Sequence, residues 1–321
     1  MIRIELGSHG LSRIRFAISP LNTTEDLLFT LGRFPHVLDS PWRARAVAAL
    51  RDRRLGLLAV IAGGGPGGYA PDFPRPEPAG FQPTVDAELH QVATTSLERI
   101  RYELTAAVNG HSWNRARKPP TLLLAAMERG EDSIRACIAD QLEQFWQHVL
   151  APDWPRIRGR LEGDITARSA AIAHHGLRQM INQLAPNLAW RDGGLDLAPS
   201  THQIRIEADA TILVPSTFVT KAIFCAGEPA GTPAPRTPLI VYPAIPDSRA
   251  PLSRADQLIG ATRAQLLAEL AQPHTTAELA ERLHLSPATV SYHLQILHRA
   301  GLLQRTRQAR NVLYQHLLNT A

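Results

Sequence analysis

Cysteine is all but missing from this chain: Cys137 and Cys225 are the two in 321 residues. They lie too far apart in sequence for a metal-binding pair and are too few for a disulfide scaffold. A reducing compartment and two small buried hydrophobes are expected. Lysine is as scarce, with Lys118 and Lys221 alone, so nearly all the positive charge is arginine. No long apolar run opens the chain, because Arg3, Glu5, Arg13 and Arg15 interrupt it. The uncharged stretch from Leu55 to Ala70 is glycine-rich and too short to span a bilayer, so a cytoplasmic protein with no membrane partner is expected. The run Gly63-Gly64-Gly65-Pro66-Gly67-Gly68 lacks the Gly-Lys-Ser/Thr ending that puts a lysine on phosphate and a hydroxyl on magnesium. It reads as a turn and not as a nucleotide loop.

What is present suits a globular chain with two cores: 44% hydrophobic and 20% charged residues over 321 positions. The formal charge of +5 is compatible with nucleic acid without pointing to it. From residue 253 onward, seven arginines (Arg254, Arg263, Arg282, Arg299, Arg305, Arg307, Arg310) face four acids (Asp256, Glu269, Glu278, Glu281), a net +3 on a small region.

The most informative stretch, Ser286 to Gly301, lies there. Ser286 suits an N-cap, since its hydroxyl can accept from an orphan backbone N–H, and Pro287 suits the first helical position. Gly301 suits the left-handed residue that ends a helix. Val290, Leu294 and Leu297 fall on one stripe, which should face a core. Ala288, Tyr292, Gln295 and Arg299 fall on the other side. An aromatic hydroxyl, an amide and a guanidinium without acid to repel phosphate suit the major groove. An ordinary amphipathic surface helix would share the pattern.

The flanks separate the two readings. Thr275 to Leu283 predicts a second helix, with Thr275 and Glu278 as a capping box and small Ala280 allowing close approach, joined to the first by His284-Leu285. Leu258 to Leu270 predicts a helix before it, stopped by Pro273. Leu302 to Thr306 and Asn311 to Gln315 predict two strands about a turn at Arg307-Gln308-Ala309-Arg310, a basic wing. Arg305, Arg307 and Arg310 could hold phosphates there.

From Gln257 to Tyr314 the chain resembles the winged helix-turn-helix of ArsR/SmtB-type transcriptional regulators. The resemblance is carried by the serine-started helix, the Ser291-Tyr292-His293-Leu294 block, the Ala300-Gly301-Leu302 turn and the arginine-flanked wing. It departs at Ala309, where many members have glycine. His316 to Ala321 is too short for the family's final dimer-forming helix, so dimer contacts are expected elsewhere. The cysteine, histidine and acidic ligands of metal-sensing members are absent. The large N-terminal part resembles the domain that precedes the winged helix in one ArsR-type subgroup. It shares Arg15-Phe16, Ser19-Pro20-Leu21, Tyr69 to Phe73, Trp154 to Ile157 and Val214-Pro215-Ser216, and that family offers no chemistry to assign to residues.

Before the winged helix, Ile2, Ile4 and Leu6 alternate as a half-exposed strand, and Leu11 to Ile18 suits a strand or a short helix. Ser19-Pro20 opens a helix ending near Phe34-Pro35. Trp42 to Ile61, Val85 to Val108 and Thr121 to Val149 each read as helix, and Ile157 to Leu184 as one or two. The arginines of Trp42 to Ile61 read as a solvated face. Adjacent His174 and His175 point to different sides of a helix and are poor co-ligands. Trp190 to Gly194 reads as a turn, His202 to Glu207 and Thr211 to Pro215 as a hairpin, and Ile223 to Ala226 and Leu239 to Tyr242 as further strands. The first strand could join the last ones.

The expected fold is α+β, with a mostly helical domain and a small sheet over residues 1–245, then a winged helix-turn-helix over 253–321. The expected function is sequence-specific regulation of transcription by a homodimer on double-stranded DNA. Ser286, Ala288, Thr289, Ser291, Tyr292, Gln295, Arg299, Arg305, Arg307 and Arg310 form the expected interface. A small-molecule effector at the N-terminal domain is a refinement of this reading. No metal, cofactor or catalytic residue is assigned. The alternative is an enzyme targeted by its winged helix, but Asp140, His148, Asp164 and His174 show no spacing that assembles a nucleophile, base and oxyanion donors.

Overall fold

A computed structural model describes residues 1–7, 10–63, 69–110, 119–200, 202–225, 232–245, 261–270, 273–283, 285–308 and 311–316. The chain divides into two units, Met1–Pro246 and Asp247–Ala321. Among the described residues no helix is long and apolar enough to cross a membrane. Glycine-rich residues 64–68 lie outside the described residues, as do residues 246–260 and 317–321.

The first unit mixes helices with two four-stranded sheets. Strands β1 (Ile2–Leu6), β3 (Leu188–Arg191), β4 (Gly194–Leu197) and β5 (Ile204–Ala208) form one, in the order β3-β4-β1-β5. β1 buries Ile2, Ile4 and Leu6 in alternation, as its sequence pattern predicts. Strands β2 (Ile14–Phe16), β6 (Thr211–Ser216), β7 (Ile223–Cys225) and β8 (Leu239–Pro243) form the other, in the order β2-β6-β8-β7. β2, β6 and β8 are parallel, and β7 closes the edge antiparallel to β8.

The expected hairpin of His202 to Glu207 with Thr211 to Pro215 is corrected here. Both strands exist, but β5 pairs in parallel with β1 while β6 pairs with β2 and β8. Two short strands joined by a turn look alike in sequence whether or not they pair with each other. Trp190 to Gly194 is also more than the expected turn. It links β3 to β4 through Asp192 (φ 43°) and Gly193 (φ 77°). Gly194 packs against β1 so closely that a Cβ would lie 2.5 Å from the Ile4 carbonyl oxygen. Gly194→Ala is therefore expected to destabilise the first unit by about 1–3 kcal/mol, measured by urea denaturation.

The helices of this unit are α1 (Pro20–Arg33), α2 (Ser40–Asp52), α3 (Gly56–Gly63), α4 (Val85–Ala93), α5 (Leu97–Asn109), α6 (Thr121–Met127), α7 (Glu131–Phe145), α8 (Trp154–His175) and α9 (Leu177–Asn182). Long helical patterns in the sequence resolve into pairs. Arg54, in the left-handed region at φ 57°, separates α2 from α3, and the N-caps Thr84 and Ser96 start α4 and α5 afresh. Gly130 at φ 89° divides α6 from α7, and Gly176 at φ 81° divides α8 from α9. α1 and α3 meet back to back at Gly32 and Gly63.

Helix α1 is buried on every side over Pro20–Leu28, although Asn22, Thr23, Thr24, Glu25 and Asp26 are polar. Ser19 caps it, accepting from the Asn22 backbone N–H at 3.0 Å. Glu88 on α4 accepts from the Leu21 N–H at 2.8 Å. Burial pushes the Glu88 carboxyl up to about 7, against the pull of Ser19 and the Leu21 N–H. Burial likewise pushes Glu25 up to about 7, with Arg75 opposing and Asp26 and Asp72 reinforcing the shift. Both groups are raised above their unfolded values, so the folded unit holds protons that the unfolded chain has lost between about pH 4.5 and pH 7. Stability should fall as pH rises through that window and level off above it. The tryptophan-detected melting midpoint is expected to be higher at about pH 5 than at about pH 8.

In the second unit, α10 (Ala261–Glu269), β9 (His274–Thr275), α11 (Thr276–Arg282), α12 (Pro287–Arg299), β10 (Leu303–Gln308) and β11 (Asn311–His316) follow one another. Their core is Leu266, Leu270, Leu279, Ala280, Val290, Leu294, Leu297 and Leu303.

Candidate nucleic-acid interface

The geometry of α12 begins at its ends. The Ser286 hydroxyl accepts from the Thr289 N–H at 3.1 Å, and Pro287 occupies the first turn. At the other end Gly301 takes φ 73°, and the Gly301 and Leu302 N–H groups donate to the His298 and Leu297 carbonyls at 3.0 and 3.1 Å. Left-handed glycine with returning hydrogen bonds satisfies the last carbonyls and stops the helix. The stripe of Val290, Leu294 and Leu297 is buried to 1% exposure or less.

Burying that stripe turns Ala288, Tyr292, Gln295 and Arg299 outward, and all four are exposed. Tyr292 is 63% exposed, unusual for a large aromatic side chain. No acidic residue occurs anywhere on α12. His298, three residues after Gln295, is also exposed. It is not among the expected interface residues, although helical spacing from Gln295 marks it. Thr289 and Ser291 are half-buried, and the Thr289 hydroxyl lies 2.7 Å from that of Ser286 within the exposed cap.

Helix α11 starts at the capping box the sequence predicts and packs on α12 through the shared apolar core. The Glu278 N–H donates to Thr275 Oγ1 at 3.2 Å, and the Thr275 N–H donates to Glu278 Oε2 at 2.8 Å. The Thr275 N–H, then its hydroxyl, hold the Glu278 carboxyl below its ordinary range. The Leu285 N–H returns to the Ala280 carbonyl at 3.0 Å, which makes the turn between the two helices compact. Arg282 bridges α11 to α10 through Glu269 at 2.9 Å.

The wing is an antiparallel pair, β10 with β11, in the register Arg305↔Tyr314 and Arg307↔Val312. Arg305 and Arg307 are two residues apart on β10, so they share one face, and both are exposed. The strand runs further than the sequence predicts: Arg307 and Gln308 belong to β10 and not to the turn. Ala309 and Arg310 lie outside the described residues. A third strand, β9, pairs with β11 through Leu313↔Thr275 and Tyr314↔His274, tying the wing to the start of α11. Two residues before a capping box give too short a pattern to be read as a strand.

The residues weighed for catalysis are not brought into one constellation. Asp164 is buried, accepting from the Tyr242 hydroxyl at 2.7 Å and the Ile245 N–H at 2.9 Å. His148 Nδ1 lies 2.7 Å from the Gln144 carbonyl oxygen, and Asp140 accepts from the Gln144 amide at 2.8 Å. His174 stacks at an angle beside His175 on exposed helix. Among the described residues, no group of three or more His, Cys, Asp or Glu side chains is placed to hold a metal ion.

Residues 261–306 match the family model of a helix-turn-helix domain. The matched stretch contains α10, β9, α11 and α12 and reaches into β10. No curated protein and no solved structure matches the chain. Fold and family model together make the second unit a helix-turn-helix DNA-binding domain with a β-hairpin wing.

Proposed function

We propose that this protein is a sequence-specific, ArsR-type transcriptional regulator that binds double-stranded DNA as a homodimer. The observation that carries this reading is the outward face of α12. An apolar stripe fixes the helix from behind, while Tyr292, Gln295 and Arg299 stand exposed without an acid among them. In this reading Tyr292 and Gln295 meet base edges, Ser286, Ala288, Thr289 and Ser291 line the approach of the helix N-terminus, and Arg299, Arg305, Arg307 and Arg310 hold phosphates. A two-fold dimer places its half-sites about 34 Å apart or a multiple of that. The first unit serves as a receptor for a small-molecule effector, not a metal, and the effector acts only through a difference in affinity between DNA-competent and incompetent states.

Two substitutions test the roles. Gln295→Ala is expected to lower preference for the cognate duplex by about 1–3 kcal/mol and to leave binding to random duplex nearly unchanged. Arg307→Ala should weaken both duplexes alike and lower the salt slope by about one. Anisotropy titrations of labelled duplexes at several salt concentrations measure both, and equal losses on cognate and random DNA for both variants would refute the assignment.

A further inference from the structure

A cleft of about 590 Å³ lies at the carboxyl end of β2, lined by Arg15, Phe16, Phe81, Ile165 and Ser169. Its volume is within the range of small-molecule sites. Phe16 is the last residue of β2, which runs parallel to β6, and the crevice beyond the carboxyl ends of parallel strands is where open α/β sheets bind ligands. Ile165 and Ser169, four residues apart on α8, contribute one face of that helix.

The walls of the cleft are tied together. Arg15 donates to the Pro78 carbonyl at 2.5 Å and to the Gly80 carbonyl at 3.3 Å. The Ile18 N–H donates to the Phe81 carbonyl at 2.8 Å, so residues 78–81 are pinned along the end of β2. Gln82 then donates to Glu162 on α8 at 2.7 Å. A cleft held in this way needs little rearrangement to receive a ligand.

Two features of the lining suit a particular kind of ligand. Phe81 is 49% exposed and Phe16 is half-buried, so flat apolar surface faces the opening. Arg15 is half-buried and, among the described residues, forms no ion pair: its bonds go to neutral carbonyls. Arg3, Arg75 and Arg168 of the same unit instead lie on Asp196, Asp26 and Asp164. The two carbonyls take two of the five N–H donors that a guanidinium has, which leaves the Arg15 charge and further donors for a ligand. Glu162, the acid one turn before Ile165, is engaged by Gln82 and by Arg158 at 3.5 Å.

We propose that this cleft binds a small aromatic carboxylate, with its charge on Arg15 and its ring against Phe16, Phe81 and Ile165. A guanidinium pairs with a carboxylate through parallel N–H bonds, and phenyl side chains pack offset or edge-on against a flat ring. This gives the small-molecule effector of the first unit a site and a chemical class, so for its regulatory role it rests on that reading. The binding itself is tested without DNA.

The full chain is melted by tryptophan fluorescence, which reports on the first unit because all five tryptophans precede residue 246. Sodium benzoate is the probe; benzamide carries the ring without the charge, and sodium acetate the charge without the ring. Benzoate at about ten times its Kd should raise the midpoint by about 3–5 °C, and the other two at the same concentration by less than about 1 °C. The benzoate shift should be lost in Arg15→Gln and in Ser169→Phe, which fills the cleft from an exposed helix position. Arg178→Gln, which removes an exposed charge outside the lining, should behave as the parent. Equal shifts with benzoate and benzamide, no benzoate shift up to about 50 mM, or a shift that survives in Ser169→Phe would overturn the proposal. So would a parent midpoint that rises with protein concentration and no longer does so in Ser169→Phe, since a second copy of the chain would then cover the cleft. Should Arg15→Gln fail to fold, Ser169→Phe decides. A benzoate shift with no change in duplex affinity by anisotropy leaves the site standing and counts against the effector reading instead.

Discussion

Arg75→Leu is expected to destabilise the first unit by about 3–5 kcal/mol, because it leaves Asp26 buried and unpaired. The Arg75 and Asp26 side chains are 6% and 0% exposed and 2.8 Å apart. Arg75 also holds Asn22 through both its side-chain and backbone oxygens. Removing the guanidinium therefore costs more than the ion pair contributes: the remaining carboxylate has neither water nor a counter-charge. The double variant Arg75→Leu, Asp26→Leu should recover much of the loss, since replacing a buried pair by apolar side chains is often nearly neutral. Urea denaturation followed by tryptophan fluorescence measures both. A loss under about 1 kcal/mol for Arg75→Leu would show that the pair is not the fixed point of α1.

The second large effect belongs to the other unit. Leu294→Ala should cost about 2–5 kcal/mol, since it removes most of a side chain buried at 0% exposure. Its core holds eight buried side chains among the described residues, so one such loss takes a large share of its stability. Binding to any duplex should collapse, unlike the selective loss expected for Gln295→Ala. Circular dichroism melts of parent and variant measure the loss, and a loss under about 1 kcal/mol would contradict a core built around Leu294.

The two units differed in how far they could be read from sequence. Around α12 each local signal is self-contained: Ser286 and Pro287 start the helix, Gly301 stops it, and the Val290, Leu294 and Leu297 spacing orients it. Such signals depend on neighbours within four residues, so a single sequence displays them. The first unit depends on distant partners. Nothing local tells that β5 pairs with β1, where Ile2 sits opposite Ile204, rather than with β6. The burial of Glu25 and Asp26 was equally hidden, because two acids in a helix ordinarily mark a solvated face. Their partner, Arg75, lies between Pro74 and Pro76 outside any helix or strand, where no periodicity marks it for burial. Likewise β9 was invisible because the Thr275 capping box explained the same residues.

Selection of bound duplexes from a random pool tests the central claim most directly, comparing the parent protein with a Tyr292→Ala, Gln295→Ala variant. If the outward face of α12 reads base edges, the parent enriches one motif with half-sites a helical turn or a multiple of it apart. The variant, still folded by circular dichroism, then loses that enrichment. Identical motifs from both proteins, or no enrichment by the folded parent, would contradict the account.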